Sequence, residues 1–240
     1  MKKLFTALVA LVLSLSVSAQ FYIYCSNGDV LEVDSISLVK PDNSNNHEYV
    51  DLGLPSGLKW ATCNVGANSP EEYGDYFAWG EVEPKTTYDW STYKYCVDNY
   101  DNLTKYCNNS SYGKDGFTDN KTVLDPEDDA AAVNWGGAWR MPTKAEQDEL
   151  RNNCTWDWTT QNGVNGYKVT GPNGNSIFLP AAGGMREGNL YDDGSWGYYW
   201  SSSLGTDYPD GAYGVFFFSD GVDWGCYYRY YGFTVRPVFK

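Results

Sequence analysis

The residues from Gly205 to Tyr231 combine aromatic and acidic side chains with glycine, a composition typical of binding surfaces. Tyrosine supplies a large contact area at little cost in side-chain entropy, and glycine allows the backbone to adapt to a ligand. Binding energy at interfaces is concentrated in such aromatic residues. We therefore predict a ligand-binding surface that consists of Tyr208, Asp210, Phe216, Phe218, Asp220, Asp223, Trp224, Tyr227, Tyr228 and Tyr231.

Strand alternation separates the aromatic residues of this segment into two groups. If this part of the chain is a strand, Tyr213 and Phe217 lie on one face and Phe218 on the other. We expect Tyr213 and Phe217 to be buried, because a domain with few leucines and isoleucines fills its core with aromatic side chains. Phe218 is expected to be exposed, together with Tyr227 and Tyr228 of the following strand.

Catalytic chemistry based on histidine is not expected. His47, the only histidine in the sequence, lies in a polar run that reads as a linker. The Ser-His-Asp triad, the Cys-His pair and the histidine-rich zinc site all require a histidine inside a folded site. No glycine-rich phosphate loop follows a predicted strand. We therefore predict no catalytic residue, no metal site and no cofactor.

Paired carboxylates are a second catalytic option, because two acids at a suitable separation can hydrolyse glycosides. With 31 acidic residues, some pair always meets that criterion, so solvated turn acids are the favoured interpretation. The acids that lie near aromatic residues are Glu81, Glu83, Asp192, Asp193 and Asp207.

The run Glu127–Asp129 could bind calcium, but its position in the first turn of a predicted helix already explains these acids.

The six cysteines, at positions 25, 63, 96, 107, 154 and 226, allow several disulfide pairings, and the sequence does not select among them. Cys96 and Cys107 flank a short polar stretch, so a local disulfide between them is the simplest pairing. The neighbours of Cys226 indicate no partner for it.

The N-terminal residues have the features of an export signal. Lys2 and Lys3 precede an apolar stretch that ends in small residues, so residues 1–19 are predicted to be a cleavable signal peptide. No cysteine follows the cleavage point directly, and the apolar stretch is too short to span a bilayer, so no lipobox and no transmembrane segment are expected. The protein is therefore expected to be secreted or associated with the cell surface.

The charge of the chain excludes one class of partner. The formal net charge is −14, and it becomes −16 when Lys2 and Lys3 are removed with the signal. Because phosphate binding requires clustered lysine and arginine, nucleic acids and anionic membranes are not expected partners. Aromatic residues make up 17% of the chain, far too many for a disordered acidic protein, so the chain is expected to fold.

Two units are expected after the signal. Residues 20–47 are predicted to form a small hairpin and a linker, because two β-prone runs flank the turn signal Asn27-Gly28. Residues 48–240 are predicted to form one continuous domain.

Two helices and several short strands are predicted in this domain. The first helix opens at Asp125, with Pro126 in its first position, and ends near Gly136. The second helix opens at Thr143, where Glu146 completes a capping box. The clearest predicted strands are residues 58–65, 76–79, 167–170, 177–180 and 233–238.

Six sequence blocks, ordered along this domain, carry a resemblance to a known family. They are Tyr49–Ala61 (YVDLGLPSGLKWA), Tyr73–Glu81 (YGDYFAWGE), Asn134–Thr143 (NWGGAWRMPT), Leu179–Gly183 (LPAAG), Tyr199–Ser203 (YWSSS) and Val235–Val238 (VRPV). These blocks resemble the Fibrobacter succinogenes major paralogous domain family.

That family looks related to the C-type-lectin-like fold, which formylglycine-generating enzymes and the variable proteins of diversity-generating retroelements share. The resemblance implies an α+β domain in which two helices pack on short, mostly antiparallel strands and both domain ends meet in one sheet. The enzymes hold copper with two cysteines in the C-terminal part of the domain, where this sequence has only Cys226. Oxidising activity is therefore not expected.

The combined interpretation is an exported, non-catalytic binding or adhesion module that recognises an extracellular protein or glycan. A carbohydrate-active or formylglycine-generating-like enzyme on the same fold is the alternative.

In the retroelement relatives, AAC codons for asparagine are randomised at their adenines. Every codon that results still ends in C. From Gly205 to Tyr231, only Trp224 cannot be encoded in this way. Diversification of this segment is thus a hypothesis that the coding DNA tests.

Overall fold

The computed structural model describes residues 21–24, 30–33 and 47–240. The chain divides into two units, Met1–Pro41 and Asp42–Lys240. In the first unit, the strands β1 (Phe21–Tyr24) and β2 (Val30–Val33) form an antiparallel pair, as the sequence predicts. The predicted signal peptide, the turn between these strands and most of the predicted linker lie outside the described residues.

The second unit combines mostly antiparallel strands with two α-helices, which confirms the predicted α+β class. The helices are α1 (Ala130–Trp135) and α2 (Lys144–Asn153). Among the described residues, no helix has the length and apolar character needed to cross a membrane. The strands are β3 (Tyr49–Asp51), β4 (Lys59–Ala61), β5 (Thr155–Gln161), β6 (Val164–Thr170), β7 (Ser176–Pro180), β8 (Gly184–Arg186), β9 (Asn189–Tyr191), β10 (Trp196–Leu204), β11 (Gly211–Phe218), β12 (Gly221–Tyr228) and β13 (Val238–Phe239).

The two ends of this unit share one sheet, as predicted. Its strand order is β13-β4-β3, with Val238 opposite Trp60 on one side of β4 and Val50 opposite Trp60 on the other. The other sheets have the orders β5-β6-β7, β8-β9 and β10-β11-β12, and their strand pairs are antiparallel.

A buried arginine joins the end sheet to the core. Arg236 is 1% exposed, and its guanidinium donates hydrogen bonds to the Asn64 side chain and to the carbonyls of Ala61, Thr62 and Phe178. A buried arginine is tolerated when its donors are satisfied in this way. The guanidinium therefore links the C-terminal segment to the chain that follows β4.

The second helix forms as predicted, and the first one starts later. Thr143 and Glu146 make the reciprocal bonds of a capping box at the start of α2. The residues after Asp125 form a short 3-10 turn instead of an α-helix, and α1 begins only at Ala130. The cap of α1 is Asp129, whose carboxylate accepts hydrogen bonds from two backbone N–H groups of the first turn. Of the acids in Glu127–Asp129, only this one caps α1.

Several predicted strands are shorter than their sequence pattern suggests. Within residues 58–65, only Lys59–Ala61 is a strand, and residues 76–79 contribute a single bridge, between Phe77 and Phe233. Within residues 233–238, only Val238 belongs to a strand. These buried segments pair through isolated hydrogen bonds, so apolar alternation overstates the extent of regular pairing.

His47 belongs to the folded unit, which corrects its assignment to the linker. Its ring lies 3.7 Å from the Trp135 ring, within 1° of parallel, and it meets Trp139 edge-on at 6.3 Å. The polar run before it gives no sign of this contact, because both tryptophans are distant in sequence.

Candidate functional site

One side of the β10-β11-β12 sheet carries five half-buried aromatic rings, which we call the aromatic face: Trp196, Tyr198, Phe216, Phe218 and Tyr227. Trp196 lies opposite Phe218 and Tyr198 opposite Phe216, so strand register brings their side chains together. The centroid distances are 4.5 Å for Trp196–Phe218, 5.6 Å for Tyr198–Tyr227 and 6.2 Å for Phe216–Tyr227. All five rings are half-buried, which makes this face a continuous and partly accessible aromatic surface.

A glycine makes room for Tyr227 on this face. A Cβ on Gly225 would lie 2.6 Å from the Tyr227 ring. The ring therefore lies over the glycine backbone and reaches both Tyr198 and Phe216. Glycine at this position therefore allows the Tyr227 ring to pack against the backbone.

A second group of aromatic rings lies at the end of β12 and just after it. Tyr228 and Tyr230 stack at 5.7 Å, and Tyr230 meets Tyr231 edge-on at 4.8 Å. Trp90 approaches Tyr230 at 4.9 Å and Tyr228 at 5.9 Å. Each of these rings thus contacts at least one other ring.

The β8-β9 hairpin places charged groups beside the face. The Arg186 guanidinium lies 4.7 Å from the Tyr191 ring centroid and 5.3 Å from that of Tyr231, and it pairs with Asp192 at 3.5 Å. The Tyr198 hydroxyl donates to the same carboxylate at 3.3 Å. Burial, with the nearby Asp192 charge, raises the pKa of Tyr198 to about 12, so this hydroxyl stays protonated at neutral pH.

A cavity of about 350 Å³ opens beside Tyr227, and we call it the tyrosine cavity. Five of the ten predicted binding residues line it, which brings the two ends of the predicted segment together. Asp210 is only 9% exposed, so the structure corrects its place on an open surface, whereas Tyr208 is 63% exposed. The lining residues are Tyr208, Asp210, Gly211, Cys226, Tyr227, Tyr228 and Tyr231.

Three other predicted residues do not line the cavity and contribute no ring to the aromatic face. Trp224 pairs with the inward-facing Val215, and its ring receives the Lys144 ammonium of α2 at 4.1 Å. Asp223 forms an ion pair with Arg151 of α2, and Asp220 is exposed in the β11-β12 turn. The ten predicted residues therefore do not form one continuous surface.

The expected burial of the aromatic residues holds in part. Phe217 is fully buried and Tyr228 is 47% exposed, as predicted. Tyr213 is half-buried, because it lies at the edge of the core with its ring 5.4 Å from Trp224. Phe218 and Tyr227 are also half-buried, since neighbouring rings cover one side of each.

The acids before α1 have partners within the protein. Lys105 pairs with Asp125 at 2.8 Å and with Asp128 at 2.5 Å, and the Tyr106 hydroxyl donates to Asp128 at 2.7 Å. Burial opposes ionisation of Asp128, but these bonds and one from Tyr95 lower its pKa to about 2. Asp125, Glu127 and Asp128 offer ligand atoms within 4.8 Å of one another, yet Lys105 lies among them.

Cys96 and Cys107 are not joined, which corrects the predicted disulfide. The Cys96 thiol donates to the Trp90 carbonyl at 3.0 Å, and the Cys107 thiol donates to the Asn109 carbonyl at 3.1 Å. Asp119 organises this loop instead, by accepting from the N–H of Cys107 at 2.9 Å. All five cysteines within residues 47–240 are free, and Cys25 lies outside the described residues.

The sequence prediction missed half of the site. Trp196 and Tyr198 lie in the run Trp196–Trp200, whose alternating large side chains are a strand signal that was available in the sequence. Arg186 and Trp90 give no such signal, because only the fold brings them to the face.

No protein-family model, no curated protein and no solved structure matches this chain. The resemblance to a family therefore stays a prediction, as does the C-type-lectin-like topology.

Proposed function

We propose that the protein is an exported, non-catalytic binding or adhesion module that recognises an extracellular protein or glycan. The ligand binds across the aromatic face and the tyrosine cavity. The observation that carries this proposal is the set of five half-buried rings in mutual contact on one side of a sheet. Rings that are already held in place lose little freedom on binding, so their contact area contributes efficiently to affinity.

The charge distribution supports the choice of ligand class. The formal net charge is −14, and Asp207, Asp220 and Asp223 are exposed near the face. A neutral or basic ligand therefore meets a favourable field, whereas nucleic acid and anionic membranes are repelled.

The polar groups of the site support a role without catalysis. The tyrosine cavity contains one carboxylate, that of Asp210, and one thiol, that of Cys226. Burial, with the charges of Asp210 and Asp207 nearby, raises the pKa of Cys226 to about 11, so the thiol is protonated and weakly nucleophilic. Glu81 is buried and engaged by Lys85 and by the Lys94 N–H.

The fold proposal is a C-type-lectin-like domain of the major paralogous type. The sheet shared by β13, β4 and β3 supports it, because that fold is expected to bring both domain ends together. Two helices beside short antiparallel strands support it as well. Export rests on the signal predicted for residues 1–19.

Protein and glycan arrays probed with the mature chain test the proposed function. Saturable binding is expected, and it should weaken in Phe216→Ala while the melting temperature stays close to that of the parent. Tyr49→Ala is the matched control, because Tyr49 is 55% exposed but lies on β3, outside the proposed site. Equal loss in both variants, or no ligand on either array, would contradict the proposal.

A further inference from the structure

The tyrosine cavity has a composition that distinguishes it from the rest of the aromatic face. Four tyrosines line it, and Asp210, the one acidic residue of its lining, is 9% exposed. Aromatic rings around a carboxylate are the chemistry with which proteins bind organic cations, because ring faces and the carboxylate both attract positive charge.

Within residues 47–240, Asp210 has no ion-pair partner. No lysine or arginine within residues 47–240 forms an ion pair with its carboxylate. The nearby guanidinium of Arg229 donates instead to the Tyr93 hydroxyl at 2.8 Å and to the carbonyls of Tyr106, Pro209 and Lys105 at 2.9 to 3.0 Å. Burial of a carboxylate without a counter-ion costs free energy, and a bound cation would offset this cost.

Burial also affects the titratable side chains Asp210 and Cys226 of the cavity. Burial raises the pKa of Asp210, and a hydrogen bond from its own backbone N–H and the charge of Arg229 offset only part of this effect. The Cys226 thiol, with its pKa of about 11, stays neutral and packs against Gly205 and Gly211. Asp210 is the one carboxyl group in the cavity lining.

We propose that the tyrosine cavity binds the cationic side chain of a lysine or arginine from a protein partner. The ammonium or guanidinium group pairs with the Asp210 carboxylate, while the stem and head pack against the rings of Tyr227, Tyr228 and Tyr231. The Tyr231 ring already has one cationic group near it, because the Arg186 guanidinium lies 5.3 Å from its centroid. This inference rests on the proposed function and names the ligand group that the site selects.

The charge of the whole chain favours a protein over a choline-bearing glycan. A formal net charge of −14 attracts a partner with several basic residues, of which one enters the cavity. A glycan that carries a single quaternary ammonium gains less from this wider field than a partner with several basic residues. Choline is therefore the competing ligand that the test must include.

Three amino-acid amides and choline test the proposal by NMR titration of the mature chain. N-acetyl-lysinamide and N-acetyl-argininamide are expected to give saturable shifts at residues 208–211 and 226–231. N-acetyl-norleucinamide has a similar apolar stem without the charge, and it is expected to give none. Equal binding of the norleucine probe, binding of choline alone, or no binding of any probe would overturn the assignment.

A charge-neutral variant separates the carboxylate from the shape of the cavity. Asp210→Asn keeps the side-chain size and should weaken lysine-probe binding by about tenfold or more. Its melting temperature should not fall, because the change removes a buried charge without a counter-ion. Asp157→Asn is the control, since Asp157 is exposed on β5 and lies outside the cavity. Unchanged probe affinity in Asp210→Asn would contradict the proposed pairing.

Failure of this inference can be distinguished from failure of the proposed function. If an array ligand no longer binds Phe216→Ala but still binds Asp210→Asn, the proposed binding function is supported and the cation pocket is refuted. If the lysine probe binds in a way that depends on Asp210 but neither array yields a ligand, the cation pocket is supported and the proposed binding function is refuted.

Discussion

His47 stacks on Trp135 with ring centroids 3.7 Å apart and planes within 1° of parallel. The stack lies where the chain enters the folded unit, immediately before β3. It therefore fixes the entry point of the domain and supplies a titratable group to the aromatic packing around α1.

The His47 stack predicts a small loss of stability in acid. Partial burial lowers the pKa of His47 below its ordinary value of 6.5, so the native state prefers the neutral ring. This contribution is present above pH 6.5 and is lost as the pH falls through the lower native value. The melting temperature of the parent should fall more between pH 7.5 and 5.0 than that of His47→Phe, which keeps an aromatic ring without the titration. Parallel curves for the two proteins would refute this.

Two aromatic substitutions should separate binding from folding. Tyr228 is 47% exposed, so Tyr228→Ala should weaken ligand binding by about tenfold or more and leave the melting temperature nearly unchanged. Phe217 is fully buried, so Phe217→Ala should cost about 3–5 kcal/mol of unfolding free energy. Denaturant titration measures the unfolding free energy of each variant, and titration with the array ligand measures its binding affinity. Unfolding of Tyr228→Ala would show that its ring belongs to the core.

The two helix caps should differ in importance. The Asp129 carboxylate accepts from the N–H of Ala131 and Ala132 and also from the N–H of Met141, whereas Thr143 caps only α2. Thr143→Ala should therefore cost about 1 kcal/mol of stability, and Asp129→Ala should cost more. Denaturant unfolding of the two variants gives the comparison, and a smaller loss in Asp129→Ala would contradict it.

Chelation should leave the protein stable. Lys105 and Tyr106 already engage the carboxylate of Asp128, so removal of divalent cations with EDTA should change the melting temperature by less than about 5 °C. A larger decrease, reversed by added calcium, would show that Asp125, Glu127 and Asp128 bind an ion that stabilises the native state.

Local signals explain what the sequence could predict. The capping box at Thr143 and Glu146 lies within one turn of helix, and the alternation around Phe217 lies within one strand, so both are readable without tertiary information. The segment that supplies the cavity could be recognised because its composition differs from the rest of the chain.

Long-range packing explains what the sequence could not predict. The aromatic face depends on the register between β10 and β11, which sets Trp196 against Phe218. The cavity at Asp210 forms only when residues 208–211 and 226–231 are brought together by the fold. The error at His47 has the same cause, because its partner Trp135 is remote in sequence.

The position of β13 has a consequence for biosynthesis. β4 gains its second neighbour only when Val238 and Phe239 are available, and the Arg236 guanidinium then bonds to Ala61 and Thr62. The domain therefore cannot close until residues 236–239 have left the ribosome, since its closing contacts join residues far apart in sequence.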